Sequence, residues 1–91
     1  MRRLHVEVVG RVQGVGFRWF VREHAHRLDL AGWVLNRDDG AVELVVEGDP
    51  REVETFLRQL RDGPPGAHVH DVRELDPLPG EPLPRPFSIR R

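Results

Sequence analysis

Gly10-Arg11-Val12-Gln13-Gly14-Val15-Gly16-Phe17-Arg18 joins a run with the period of a strand to a run with the period of a helix, and that junction decides the fold. On its N-terminal side Leu4-His5-Val6-Glu7-Val8 alternates apolar and polar residues, the pattern of a half-buried strand. On its C-terminal side Phe17, Val21, Ala25 and Leu28, with Phe20 beside them, recur at steps of three and four and so share one face of a helix. Glycine at positions 10, 14 and 16 lets the backbone take positive φ angles and come close to a ligand, since no Cβ intervenes. The first turn of a helix has unpaired N–H donors and the positive end of the helix dipole, so an anion, phosphate above all, suits it. Arg18 stands in that turn, where the dipole disfavours a cation. A shared anion would account for it, held by a planar fork that reaches two phosphate oxygens at once. Glycine count and position alone leave a second reading open, a plain connection followed by a solvated arginine. The loop has neither a Gly-Lys-Ser/Thr ending nor a Gly-x-Gly-x-x-Gly spacing, so it is not one of the nucleotide-binding loops.

Working outward, the first strand spans Leu4 to Gly10 and the helix Phe17 to about Leu28. Ala31 to Arg37 is short and rich in aromatic and branched residues, and it runs into an Asp38-Asp39-Gly40 turn. Across that turn, Ala41 to Glu47 sets Val42, Leu44 and Val46 on one face and Glu43 and Glu47 on the other. Asp49-Pro50-Arg51-Glu52 combines an N-cap acceptor, a proline at the first helical position and a glutamate placed for a capping box. Val53, Phe56, Leu57 and Leu60 continue that helix until Gly63-Pro64-Pro65-Gly66 stops it. Ala67 to Leu75 is a fourth strand whose imperfect alternation predicts an irregularity or an edge position. Pro77, Pro79, Pro82, Pro84 and Pro86 make the next stretch an extended connection without ladder donors, and Phe87-Ser88-Ile89 is read as a short final strand. The order βαββαβ, with right-handed crossovers, gives an α+β ferredoxin-like sandwich with two helices on one face of a mostly antiparallel sheet and strands one and three central. Asn36 then falls toward one margin of that sheet.

A chain of 91 residues supports a single domain, 1–91. There are no cysteines, which excludes disulfides, thiolate nucleophiles and cysteine metal sites. A net charge of -1 argues against a general nucleic-acid or membrane-surface binder and favours a small-molecule ligand. All 14 basic residues are arginine, so Schiff-base chemistry and a phosphate-loop lysine are excluded as well. No apolar run approaches membrane-spanning length, and a cytoplasmic protein is expected.

Other chemistry-bearing residues have ordinary uses. Asn36, the one asparagine, borders a turn, where hydrogen bonding to its own backbone is the common role; Gln13 could fill a loop. His68 and His70 alternate on one strand face with no third metal ligand evident. Asp38 and Asp39 are adjacent turn acids, and Ser88 has no histidine-acid partnership to activate it. Trp33 is expected to pack in the sheet, whereas Trp19 points away from its helix's apolar stripe.

The run from Gly10 to Arg18, together with Gly32-Trp33-Val34-Leu35-Asn36-Arg37-Asp38-Asp39-Gly40-Ala41-Val42 downstream, closely resembles the two signatures of the acylphosphatase family, and Phe87-Ser88-Ile89-Arg90 resembles that family's usual ending. The resemblance implies a small cytosolic enzyme of ferredoxin-like fold that hydrolyses carboxyl-phosphate anhydrides such as acetyl phosphate without metal or other cofactor. It maps phosphate binding onto the amides of Gln13, Gly14, Val15, Gly16 and Phe17 and the side chain of Arg18, and positioning of the attacking water onto Asn36. The implied partner is a small acyl phosphate, with no nucleic acid or membrane, and a monomer is the expectation. The competing class is a non-catalytic module of the same fold, an anion sensor or an accessory piece of a larger machine that uses carbamoyl phosphate. A nucleic-acid binder is weaker, because the central strand Leu44-Val45-Val46 lacks stacking aromatics.

Overall fold

In the computed structural model, which describes residues 1–91, alternation carries β1 (Arg2–Arg11) somewhat beyond the run that predicts it. Then come α1 (Phe17–Arg27), β2 (Ala31–Asn36), β3 (Val42–Gly48), α2 (Pro50–Asp62), β4 (His68–Leu75) and β5 (Ser88–Ile89). The strand order is β4-β1-β3-β2-β5. β1 pairs antiparallel with both β3 and β4, β2 pairs antiparallel with β3, and β5 joins the far edge parallel to β2. This is the expected ferredoxin-like α+β sandwich, with strands one and three inside.

The period of two sorts the sheet into two faces. Leu4, Val6 and Val8 of β1, Val34 of β2 and Val42, Leu44 and Val46 of β3 are buried in one core with Phe17, Val21 and Ala25 of α1 and Val53, Phe56, Leu57 and Leu60 of α2. The opposite face is polar. There Arg3 pairs with Glu47 at 2.8 Å and His5 Nε2 lies 2.6 Å from Glu43, while Trp33 and Val45 stand opposite each other and are buried.

β4 is an edge strand and is irregular, as its alternation predicts: its register against β1 shifts between Val9 and Gly10. Gly10 is required there. It has φ +140, and a Cβ would stand 2.2 Å from the His68 carbonyl oxygen. Asp49 caps α2 by accepting from the Arg51 N–H at 2.9 Å, with Pro50 in the first turn. The expected capping box is only half made, since the Asp49 side chain is the cap's one side-chain hydrogen bond.

The connectivity places the two ends that matter. β1 and β2 both run antiparallel to β3, hence parallel to each other, so their C-terminal ends meet at the same end of the sheet. The first ends in the glycine loop and α1. The second ends in Asn36, which pairs with Val42 and so faces the helix side.

Candidate active site

The turn from β1 into α1 is made by two left-handed glycines. Gly14 has φ +78 and Gly16 has φ +77, and a Cβ at either would meet nothing, so it is the backbone angle and not crowding that calls for glycine. Gly16 is the N-cap of α1, and the first turn has no side-chain cap and no acidic residue. None of the N–H groups of Gln13, Gly14, Val15 and Gly16 donates to another protein group. Uncapped, the helix end keeps its donors and its positive dipole for whatever faces it.

What it faces is a cavity of about 210 Å³ lined by Val12, Gly14, Gly16, Phe17, Arg18, Trp19, Asn36, Ile89 and Arg91. Two arginines and no acidic side chain border it. Arg18 enters none of the protein's ion pairs, so its charge is not neutralised internally. Asn36 reaches the same cavity from the end of β2, and its Oδ1 is buried without a hydrogen-bond partner. A buried acceptor left unpaired costs about 1–3 kcal/mol. Two other buried side-chain atoms are unpaired, Arg22 Nε and Gln59 Oε1, but neither residue borders the cavity.

Of the residues singled out in the sequence, Gly14, Gly16, Phe17, Arg18 and Asn36 therefore share one cavity. Gln13 and Val15 do not line it. The Gln13 side chain turns instead to the β2–β3 hairpin, where its Nε2 donates to the carbonyls of Arg37 at 2.7 Å and Ala41 at 3.0 Å. Val15 borders a second groove beside α1. That hairpin is held from its other side by Arg37, which meets Glu7 of β1 at 2.8 Å and Asp39 within the turn. The pairing with Arg37 pushes the Asp39 carboxyl below its ordinary value and raises Arg37. Asn36 thus sits between two fixed points.

Four lining residues were not picked out as site residues in the sequence: Val12, Trp19, Ile89 and Arg91. A period-two reading onward from Ile89 would have put Arg91 on its face. Trp19 is 58% exposed, as its position off the apolar stripe predicts. His68 and His70 lie exposed on β4 and do not line the cavity.

Fold and cavity together define a class: a small α+β sandwich with an anion-receptive, basic cavity at its first strand-helix junction. The acylphosphatase family's sequence model matches residues 4–89. An acylphosphatase of Acidiphilium cryptum is 52% identical over 87 residues, covering 96% of this chain and 92% of that protein. The crystal structure of acylphosphatase from Bacillus subtilis superposes with a TM-score of 0.85 at 43% identity, covering 100% of both chains. The crystal structure of T. kodakarensis HypF matches with a TM-score of 0.85 at 36% identity, covering 100% of this chain and 12% of that one. The chain belongs to the acylphosphatase family.

Proposed function

We propose that residues 1–91 act as one catalytic unit that carries out the family's reaction, hydrolysis of the carboxyl–phosphate bond of acyl phosphates to a carboxylate and inorganic phosphate. The amides of Gln13, Gly14, Val15, Gly16 and Phe17 and the guanidinium of Arg18 hold the phosphoryl group, and Asn36 presents the water. The observation that carries this is the meeting, at one cavity without an acidic side chain, of an uncapped helix start, an unpaired arginine and the unpaired acceptor of Asn36.

Phosphoryl transfer passes through a loose transition state whose charge spreads over the equatorial oxygens, so positioning and electrostatic stabilisation supply most of the rate. Fixed N–H dipoles and a permanently charged fork do this without a metal ion. The leaving group is a carboxylate, stable without protonation, so no general acid is needed. Asn36 Oδ1 would accept a hydrogen bond from the water and orient it opposite the leaving oxygen. The water's proton would pass to a phosphate oxygen as the new P–O bond forms and the acyl P–O bond breaks.

The test is acetyl phosphate hydrolysis by the purified chain in excess chelator. Activity is expected to persist there. Removing one preorganised donor costs about 3 kcal/mol or more, so Arg18→Ala and Asn36→Ala should each lose roughly 100-fold or more. Arg18→Ala should also abolish inhibition by inorganic phosphate, while Asn36→Ala should leave it nearly unchanged. Arg18→Lys should be severe, because a point charge does not replace the fork. Wild-type rates in either alanine variant would overturn the assignment.

The reading takes a cytoplasmic monomer acting on a small molecule, independent of nucleic acid and membranes. No helix is long and apolar enough to cross a membrane. Sedimentation at assay concentration checks the monomer. The likeness to a small part of HypF keeps the second reading, a non-catalytic anion-binding module, in view. Phosphate binding without turnover of any acyl phosphate would favour it.

A further inference from the structure

A phosphoryl group attached through a single oxygen carries roughly two negative charges at pH 7. Arg18 answers one of them, and the loop amides are dipoles without net charge. The same cavity is bordered by a second guanidinium, that of Arg91. The pairing of β5 explains how it comes to be there. Ser88 lies opposite Trp33 and Ile89 opposite Val34 in a parallel ladder, and the Arg90 N–H extends it by donating to the Val34 carbonyl at 2.7 Å. Ile89 packs against the core on the helix side, whereas Arg90 stands on the opposite face, 4.8 Å from the centre of the Trp33 ring. Alternation then returns Arg91 to the helix side. Carried two residues on from the Val34–Ile89 pair, the register sets it beside Asn36.

The two arginines therefore reach one space from different elements, Arg18 from the first turn of α1 and Arg91 from the continuation of β5 next to Asn36. Arg91, like Arg18, enters none of the protein's ion pairs. It is not spent on Asn36 either, whose Oδ1 has no partner. Like charges that share a cavity repel until an anion lies between them, and a doubly charged anion gains twice as much from the second cation as a singly charged one.

We propose that Arg91 is a second phosphate-binding side chain, and that with Arg18 it makes the site selective for doubly charged tetrahedral anions over singly charged ones. The inference rests on the catalytic reading above, because it takes the phosphoryl group to lie between the start of α1 and Asn36. The charge that Arg91 meets is already on the substrate, and a loose transition state spreads it without adding to it. Arg91 thus holds substrate and transition state about equally, so its loss belongs in KM and hardly in kcat.

Inhibition of acetyl phosphate hydrolysis by sulfate and by methanesulfonate, at one pH and fixed ionic strength, reads the selectivity. Both anions are tetrahedral, and sulfate carries the extra charge. Wild type is expected to bind sulfate about tenfold or more tightly than methanesulfonate. Arg91→Gln should cut that ratio to about threefold or less by weakening sulfate, and should raise KM for acetyl phosphate about fivefold or more with kcat nearly unchanged. Arg91→Lys keeps the charge and should keep most of the preference. Arg90→Gln removes the same charge from the opposite face of the sheet and should alter neither the ratio nor KM. Far-UV circular dichroism confirms that each variant folds. If wild type binds the two anions equally, if Arg91→Gln retains the wild-type ratio, or if Arg90→Gln lowers it as much, the second phosphate contact is overturned and the catalytic reading stands. If wild type does not hydrolyse acetyl phosphate, both fall together.

Discussion

At the scale of single residues, Gln13 shows how a side chain can serve a site it does not enter. Both protons of its amide nitrogen are spent on the hairpin, at the carbonyls of Arg37 and Ala41, one residue and five residues beyond Asn36. The loop that would hold phosphate is thereby bolted to the strand end that would hold water. Each carbonyl also accepts a main-chain bond, from the Gly40 N–H at 3.2 Å and the Arg37 N–H at 2.9 Å, so removing Gln13 orphans neither. Gln13→Ala should therefore destabilise by only about 1 kcal/mol. Its catalytic cost should be larger, roughly tenfold or more in kcat, because misplacing reacting groups by a fraction of an ångström is enough to lose that. The apparent affinity for inorganic phosphate should hardly move, since the loop amides and Arg18 remain. Gln13→Glu should be worse on both counts, as a carboxylate has nothing to donate to two carbonyls. Denaturant midpoints, kcat and phosphate inhibition measured together check this. The neighbourhood of Gly14, Gly16 and Arg18 was legible in the sequence because loop and helix are contiguous there. The use of Gln13 was not, because its partners lie 24 and 28 residues away.

At the scale of elements, the two helices are built for different tasks, and their first turns already show it. α2 opens with Asp49 and Pro50, closing its own donors; α1 opens with Gly16 and leaves them free. The ends are also far apart. β3 runs antiparallel to β1, with Gly48 opposite Arg2, so α2 begins at the end of the sheet away from the cavity. Asp49→Ala should cost about 1 kcal/mol in stability, within the usual range of about 0.5–2 for a lost cap, and leave acyl phosphate turnover at temperatures below the transition unchanged. A thermal melt and an activity assay on the same preparation decide it; a matching loss of activity would mean that the two ends of the sheet are coupled. Element types and order were readable because each helix carries a full apolar stripe and β1 and β3 alternate cleanly. The approach of Asn36 to the loop was readable in principle too. Two strands each paired to the one between them must be parallel, and Asn36 shares its face with Val34. Periodicity alone does not reveal that step; it needs the strand order.

At the scale of the whole molecule, the last sixteen residues tie the sheet together from edge to edge. Leaving β4, the proline-rich segment passes β1, where its Asp76 carbonyl meets His5 Nδ1 at 2.9 Å and its Glu81 carbonyl accepts from Arg3 at 3.0 Å. It then reaches β2, whose Gly32 N–H donates to the Pro84 carbonyl at 2.9 Å. Prolines suit such a path because it accepts hydrogen bonds and needs to donate few. That the segment is extended was plain from its composition; that it adds β5 parallel to β2 was not, since the direction of a two-residue strand leaves no trace in its pattern. What anchors its end is Phe87, 1% exposed and 6.3 Å from the ring of Phe56, while Arg90 lies 4.8 Å from the centre of the Trp33 ring on the opposite face. Between and beyond these anchors, Ile89 and Arg91 form a wall of the cavity. The two anchors should separate in strength. Phe87→Ala removes a buried aromatic ring and should cost about 3–5 kcal/mol, a large share of the roughly 5–15 kcal/mol that holds a domain folded. Arg90→Ala removes a surface cation–π contact and should cost about 0.5–1 kcal/mol. Because the wall depends on the deeper anchor, Phe87→Ala should also weaken inhibition by inorganic phosphate under conditions where circular dichroism reports a folded protein, whereas Arg90→Ala should leave it near the wild-type value. Equal midpoints for the two variants would place the hold on β5 in its strand pairing, chiefly the Arg90 N–H to Val34 carbonyl bond of 2.7 Å, and not in the packing of Phe87.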